Sequence, residues 1–140
     1  MPNGFKLNKI YRTGYCVGRG FLADKTLGWK KVRFYSRCFL IEHPSRGLVL
    51  IDTGYGQALL DAAQRGIYSL YRMLLPVTYL PEDSIVKQLA EDGISLSDLS
   101  CLIITHFHPD HIGALPEFAH VPWVYRNEVL SSINSLNSPR

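Results

Sequence analysis

Apolar and polar positions alternate partly over the first fifty residues, as in strands that are buried on one face. "KLNKIYRTGYCV" (6–17) and "VRFYSRCFLIEH" (32–43) carry β-branched and aromatic side chains in this pattern. "LVLIDTG" (48–54) follows the second segment after the turn "PSRG" (44–47), so these two segments are predicted to form a hairpin. Leu48 to Ile51 are apolar at successive positions, which predicts burial on both faces of a sheet.

Helical spacing replaces this alternation in the middle of the chain. "GQALLDAAQRGIYSLYRMLLP" (56–76) has apolar residues three and four positions apart, and Gly66 is expected to divide this helix and Pro76 to end it. "EDSIVKQLAEDG" (82–93) has one apolar face and closes on Gly93, a common residue after a helix. Two helical segments are therefore predicted between the strands.

The last third returns to strands. A buried strand is predicted from Ser100 to Ile104, a short helix within Asp110 to Phe118, and a final strand over 121–128. The tail 131–140 is polar and is expected to be weakly ordered. Strands that alternate with helices after an antiparallel start predict an α/β fold, a mixed β-sheet with covering helices.

Composition places the chain among ordinary globular proteins. Of its 140 residues, 46% are hydrophobic and 19% charged, which suits one domain with one core. No apolar run approaches the roughly 20 residues of a membrane span, and the N-terminus has no apolar stretch of signal-peptide length. Cys16, Cys38 and Cys101 form no C-x-x-C pair, and the last two lie in apolar runs as expected buried thiols. A cytoplasmic location without a membrane partner is expected.

The net charge of +3 comes partly from a loose basic cluster over 25–37. Such a cluster belongs either to a solvated strand and loop face or to a surface for an anionic ligand or nucleic acid. The excess is far below that of a dedicated nucleic-acid binder, so nucleic acid is not expected as a partner.

The stretch "THFHPDHIG" (105–113) concentrates metal-binding side chains. They are His106, His108, Asp110 and His111. Imidazole and carboxylate without nearby cysteine suit zinc, iron or manganese. In an extended stretch His106 and His108 point to the same side and can hold one metal, while Asp110 and His111 follow a proline turn and can face a second.

The position of this stretch also favours a site, because it directly follows the predicted buried strand, and sites in open α/β sheets lie at the carboxyl ends of strands. Two neighbouring metals can activate a bridging water and polarise a substrate oxygen. Two other interpretations are a polar loop that contains histidines by chance and a non-catalytic metal site.

Two motifs carry a resemblance to a known family. "THFHPDHIGAL" resembles the H-x-H-x-D-H-x-G motif of the metallo-β-lactamase superfamily, and "LVLIDTG" is similar to its earlier motif, an apolar strand that ends in Asp-Thr-Gly. The resemblance covers about 30–130 and is closest to the lactonase-like branch, which includes quorum-quenching lactonases. It implies the N-terminal half of a metallo-β-lactamase-like αββα sandwich.

The same resemblance implies roles for single residues. His106 and His108 would bind a first metal, and Asp110 and His111 a second. Asp110 would also be catalytic, as a proton shuttle to the leaving group. Asp52 would be a second-shell residue that hydrogen-bonds and orients the metal loop; without the Asp-Thr-Gly context it could equally be a turn-forming strand terminator.

The resemblance also implies that part of the site is absent. The family adds a further His, a bridging Asp and a last His from its second half, whereas this sequence offers only His43 and His120 outside the motif and no Asp after Asp110. His43 is expected to be a surface residue and His120 a loop residue. Residues 1–140 are therefore expected to be one incomplete domain, with an apolar sheet face left uncovered. It is a fragment, a natural half that needs a second chain, or a non-catalytic module.

The activity that follows is metal-dependent hydrolysis of a small-molecule lactone, ester, thioester or amide, with lactone favoured by the branch. Zinc is the expected cofactor, two per complete site, and iron or manganese is possible. The alternatives are a phosphodiesterase or nuclease, an iron sulfur dioxygenase, and a non-catalytic metal-binding half-domain that acts by association. The 140-residue chain alone is expected to be weak or inactive, because missing protein, either a C-terminal half or a second chain, would complete the site.

Overall fold

The computed structural model describes residues 4–62, 73 and 75–125, and the strands in this part of the chain form one sheet. They are β1 Lys6–Arg19, β2 Lys31–His43, β3 Gly47–Ile51, β4 Val77–Thr78, β5 Leu99–Ile104 and β6 Trp123–Tyr125. Their order across the sheet is β4-β1-β2-β3-β5-β6. Pairing is antiparallel from β4 to β3 and parallel from β3 to β6, which confirms the predicted mixed sheet.

The predicted hairpin is present as β2 and β3, but its second strand is shorter than expected. Gly47 closes the turn with a φ of 78°, a conformation that glycine adopts without strain. The strand ends at Ile51 rather than at residue 54, because Asp52 has a φ of 59° and turns the chain away from the extended conformation.

Three helices have both ends within the described residues. They are α1 Gln57–Ala62, α2 Ile85–Glu91 and α3 Pro109–Ile112. The predicted helix over 82–93 is confirmed as α2, although its first residues form a separate 3-10 turn, Pro81–Asp83. Ser84 caps α2 by accepting a hydrogen bond from Lys87 N at 3.3 Å. The short helix predicted within 110–118 is α3 followed by a 3-10 turn.

The helix predicted over 56–76 is described only at its start, as α1, and at residue 73. Its middle, including Gly66, lies outside the described residues, as do residues 126–128 of the last predicted strand and the tail 131–140. Val77–Thr78 form strand β4, which the sequence analysis did not predict. This two-residue strand pairs with Tyr15 and Cys16 of β1, so its pairing partner lies about sixty positions earlier in the chain.

The hydrophobic core lies between the sheet and α2. Side chains from β1, β2, β3 and β5 pack there against α2 and the 3-10 turn after α3. The fully buried members include Tyr11, Cys38, Leu40, Leu50, Ile85, Leu89, Leu102 and Phe118. Cys38 is buried as predicted, whereas Cys101 is only partly buried because it lies on the opposite face of the sheet.

The opposite face of the sheet is apolar and incompletely covered. Strand register places one row of aliphatic and aromatic side chains across five strands: Ile10, Phe39, Ile51, Ile103 and Val124. The end members of this row are 45% and 53% exposed. The exposed apolar face expected from the sequence is therefore present. No helix in residues 4–62, 73 and 75–125 has the length and apolar character that a membrane crossing needs.

Candidate metal centre

The motif loop begins where β5 ends and turns into α3. Residues 105–108 continue past the strand, and His108, at φ −77° and ψ 151°, is the last residue before the helix. Pro109 is the first helical residue, a position that its fixed φ suits and that needs no backbone N–H donor. All four predicted donors therefore lie just beyond the carboxyl end of a parallel strand.

The structure brings the three motif histidines together. The ring centroids of His106 and His108 are 4.5 Å apart, and those of His106 and His111 are 3.9 Å apart. Asp110 joins this group, because its Oδ2 lies 3.2 Å from His111 Nε2. Every predicted ligand is thus part of one cluster, although the predicted division into two metal pairs is not tested by these contacts.

Asp52 lies beneath this cluster and is 2% exposed. Its carboxylate accepts hydrogen bonds from Thr105 N at 2.8 Å, from Thr105 Oγ1, and from His111 Nδ1 at 2.7 Å. The left-handed backbone conformation at Asp52 directs this carboxylate towards the loop. Asp52 therefore hydrogen-bonds two residues of the motif loop, and its role in orienting a metal ligand stays a prediction.

The ionisable side chains of the cluster shift one another's pKa values. Burial lowers the pKa of His111, but the hydrogen bonds to Asp110 and Asp52 outweigh it and raise the pKa to about 9. Burial raises the pKa of Asp110, yet the hydrogen bond from His111 holds it below its ordinary value. For His106, burial and the two neighbouring histidines lower the pKa, so its ring is neutral near pH 7 and can donate a lone pair.

The donor set fits a divalent metal ion in its chemistry. Neutral imidazole and carboxylate are ligands of zinc, iron and manganese. As these side chains lie, no group of three or more His, Cys, Asp or Glu within residues 4–62, 73 and 75–125 forms a ready ligand set. In this arrangement His111 Nε2 is hydrogen-bonded to Asp110. Breaking that one bond frees two donors, while Asp52 keeps the Nδ1 proton and leaves Nε2 to bind a metal.

A cavity of about 350 Å³ opens beside His108 and Asp110. Its wall is largely apolar and comes from β1, β2 and the connections after β1 and before β4. The residues that form this wall are Cys16, Leu22, Phe34 and Leu75. An apolar group of a ligand would therefore lie next to the candidate metal-binding side chains.

The two remaining histidines lie outside the cluster. His43 packs edge-on against Phe5, with 4.8 Å between ring centroids, and its Nδ1 lies 3.2 Å from Ser45 N in the β2–β3 turn. His120 is exposed in the loop before β6. Neither contacts the motif loop in the described hydrogen bonds or ring contacts; His120 is an exposed loop residue as predicted, whereas His43 is half-buried in its turn.

Other residues of the site were not identified from the sequence. Thr53 N and Oγ1 both donate to His111 O, at 2.8 and 3.1 Å, and Ser36 Oγ donates to Asp110 O at 2.6 Å. Thr53 belongs to the Asp-Thr-Gly motif and could have been singled out there. Ser36 lies in a strand, and only the three-dimensional packing of β2 against α3 shows its contact.

Comparison with known proteins assigns the family. The model of the metallo-beta-lactamase superfamily matches residues 32–126, which include both motifs and most of the sheet. The chain belongs to the metallo-beta-lactamase superfamily. The fold, one mixed sheet with covering helices, agrees with this assignment, as does the position of the motif loop.

Individual proteins match this chain over part of their length. A probable metallo-hydrolase of Mycobacterium tuberculosis is 34% identical over 79 residues, which are 56% of this chain and 25% of that protein. Cleavage and polyadenylation specificity factor subunit 3-II of Arabidopsis thaliana is 70% identical over 33 residues, or 24% of this chain and 5% of that protein. An N-acyl homoserine lactone hydrolase, solved with N-hexanoyl-L-homoserine at its catalytic metal centre, superimposes with a TM-score of 0.67 and 25% identity. That match covers 84% of this chain and 48% of the hydrolase, so the chain spans about half of its structural relative.

Proposed function

We propose that this chain forms the metal-binding half of a metal-dependent hydrolase that acts on a lactone or a related ester. The observation that carries the proposal is the convergence of His106, His108, Asp110 and His111 at the end of β5, with His111 oriented by Asp52. A divalent ion, zinc first among the candidates, would supply a Lewis acid and lower the pKa of a water molecule.

The chain's own residues have distinct tasks in this proposal. His106 and His108 would bind the first metal, and His111 would bind the second through Nε2. Asp52 keeps the proton on His111 Nδ1 and thereby fixes the ring. Asp110, released from His111, would help to hold the second metal and would pass a proton from the attacking water to the leaving oxygen of the substrate.

The cavity beside the cluster supports a substrate with an apolar substituent. Leu22, Phe34 and Leu75 form its wall, and Asp110 stands at its margin. A lactone with an apolar side chain would place its carbonyl at the metal loop and its side chain in this cavity. The structural relative holds a product of this class, an acyl homoserine, at its own metal centre.

The site requires donors beyond the four in the motif loop. Two zinc ions take about four ligands each, and the four side chains of the motif loop cannot fill these positions even if the two ions share a water molecule. We infer that a further protein segment or a second chain supplies the remaining donors. The apolar face with Ile10, Phe39 and Val124 is the surface of the described sheet that such a unit would cover.

Hydrolysis assays test the proposed function. The zinc-loaded chain is expected to hydrolyse an acyl lactone slowly, and Asp110→Asn is expected to lower the zinc-dependent rate about a hundredfold, because the amide cannot carry the proton. The zinc-dependent activity of the protein is obtained by comparing initial rates under three conditions: with zinc, with a chelator, and with zinc but no protein. Asp61→Asn is the matched control, since this exposed carboxylate is bonded to Gln57 in α1. Equal rates in wild type and Asp110→Asn would contradict the assignment of Asp110, and fast turnover would contradict the need for further donors.

Phosphodiester hydrolysis is the second candidate. Arg12 stacks over the ring of Tyr35 at 5.0 Å and Arg33 over that of Tyr15 at 4.8 Å. The ion pairs found among the described residues include no arginine, but Arg33 is also hydrogen-bonded to Tyr35, so of these two guanidinium groups that of Arg12 keeps its edge available for phosphate. The short match to the Arabidopsis polyadenylation factor subunit is consistent with this candidate. A phosphodiester substrate in the same set of assays decides between the two candidates. If the protein hydrolysed the phosphodiester and not the lactone, phosphodiester hydrolysis would replace the lactone proposal.

A further inference from the structure

Buried hydroxyl groups connect the sheet to the backbone of the metal loop. Ser36, which is 2% exposed on β2, donates from Oγ to Asp110 O at 2.6 Å. Behind it, Thr13 on β1 is completely buried, and its Oγ1 lies 2.8 Å from Ser36 Oγ. Two strands are thus linked through side chains to the main chain of a candidate metal ligand.

The proton positions in this connection follow from what each group can do. A carbonyl oxygen only accepts, so the single hydroxyl proton of Ser36 is committed to Asp110 O. Thr13 must then donate to Ser36, and the Cys38 thiol, 3.9 Å from Thr13 Oγ1, is left as the donor to Thr13. All three protons point towards the loop, an arrangement in which each bond polarises the next.

A β-bulge lies at this connection. The register between β1 and β2 shifts between Arg12 and Tyr15, so that two residues, Thr13 and Gly14, stand opposite Ser36. Thr13 lies two positions after the buried Tyr11, so strand alternation places it on the same face as Ser36, the face on which α3 packs.

The loop needs such anchors because α3 is short. With four residues, α3 leaves most of its carbonyl groups without a partner inside the helix. Ser36 satisfies the carbonyl of Asp110, and Thr53 satisfies that of His111. The backbones of the two ligand residues that follow the proline are therefore held by β2 and by the segment that follows β3.

We propose that Ser36 and Thr13 are positioning residues that fix the main chain of Asp110 for metal binding. This inference rests on the proposed function, since it assigns the residues to the same metal site. Neither residue touches a metal or a substrate; both act through the Asp110 carbonyl.

The test compares Ser36→Ala with Ser100→Ala in the full chain. Ser100 Oγ also donates to a backbone carbonyl, that of Leu48 at 2.8 Å, but lies away from the loop, so it is a matched control. In the metal-free chain, exchange of the His111 and Ile112 amides, both bonded to His108 O, is expected to become about tenfold faster in Ser36→Ala only. Zinc affinity, measured by competition with a chromophoric chelator, is expected to fall about tenfold in the same variant.

Two further variants distinguish loss of the hydrogen bond from a general loss of structure. Thr13→Val removes the donor behind Ser36 and is expected to weaken zinc binding, whereas Thr13→Ser keeps the hydroxyl and is expected to preserve it. Unchanged amide exchange in Ser36→Ala would overturn the proposal, and so would faster exchange with undiminished zinc affinity. If the wild-type chain bound no zinc, the proposed function would be contradicted instead, and the exchange result would still decide whether Ser36 holds the loop.

Discussion

Gly54→Ala is expected to destabilise the protein by about 3–5 kcal/mol, a large part of the stability of a small domain. Gly54 has a φ of 71°, a conformation that costs alanine roughly 1–2 kcal/mol. A methyl group there would also overlap the side chain of Thr13, with its Cβ 2.5 Å from Thr13 Cβ. Thr13 cannot move aside freely, because it is fully buried and bonded to Ser36. Urea unfolding of the metal-free chain measures the loss.

Gly93→Ala measures the free-energy cost of the positive φ alone, without the overlap between a methyl group and Thr13. Gly93 has nearly the same φ, 75°, but an added methyl group there meets nothing within 4 Å. Its alanine variant is expected to lose only the backbone contribution of roughly 1–2 kcal/mol. Equal losses in the two variants would show that the contact between Gly54 and Thr13 has no energetic importance.

Asp52→Ala is expected to cost about 3–5 kcal/mol in the metal-free chain. The substitution removes a buried carboxylate that accepts hydrogen bonds from Thr105 and His111. It would leave the Thr105 N–H and a protonated His111 without their acceptor. Asp52→Asn is the matched control, since asparagine also tolerates a positive φ and keeps one acceptor oxygen. Its loss is expected to be about half as large, and a full loss there would show that the negative charge is the whole effect.

The pH dependence of the same variants tests the pairing with His111. The pKa of His111 in the folded chain, about 9, lies above its ordinary value of 6.5, so its protonated form stabilises the fold. That contribution is complete below pH 6.5 and is lost as the pH rises through 9. The difference in unfolding free energy between wild type and Asp52→Asn should therefore shrink between pH 6 and pH 10. A constant difference would contradict an ion pair between Asp52 and His111.

Much of this fold follows from local patterns in the sequence. The alternation in β1 and β2, the turn before β3 and the apolar face of α2 each depend on neighbours within a few positions, and all four elements are present. The motif loop is equally local, because four donors within six positions must lie close together wherever the loop stands. Family resemblance then added Asp52, whose bond to His111 joins residues 59 positions apart.

The parts that the sequence did not predict depend on distant contacts. Strand β4 has only two residues and depends on its pairing with β1, so no periodic pattern in the sequence predicts it. The early end of β3 reflects the left-handed conformation of Asp52, which the Thr105 and His111 hydrogen bonds stabilise. The role of Ser36 likewise depends on the packing of β2 against α3.

Binding of a divalent metal by His106, His108, Asp110 and His111 is tested most directly by zinc K-edge X-ray absorption. The metal-free chain would be loaded with less than one equivalent of zinc and compared with His106→Ala. The expected spectrum has a shell of nitrogen and oxygen at about 2.0–2.1 Å with imidazole scattering and no sulfur. That imidazole signal should weaken in His106→Ala. A sulfur shell near 2.3 Å, or a spectrum of oxygen alone that is unchanged in the variant, would contradict the assignment of these four side chains as the metal ligands.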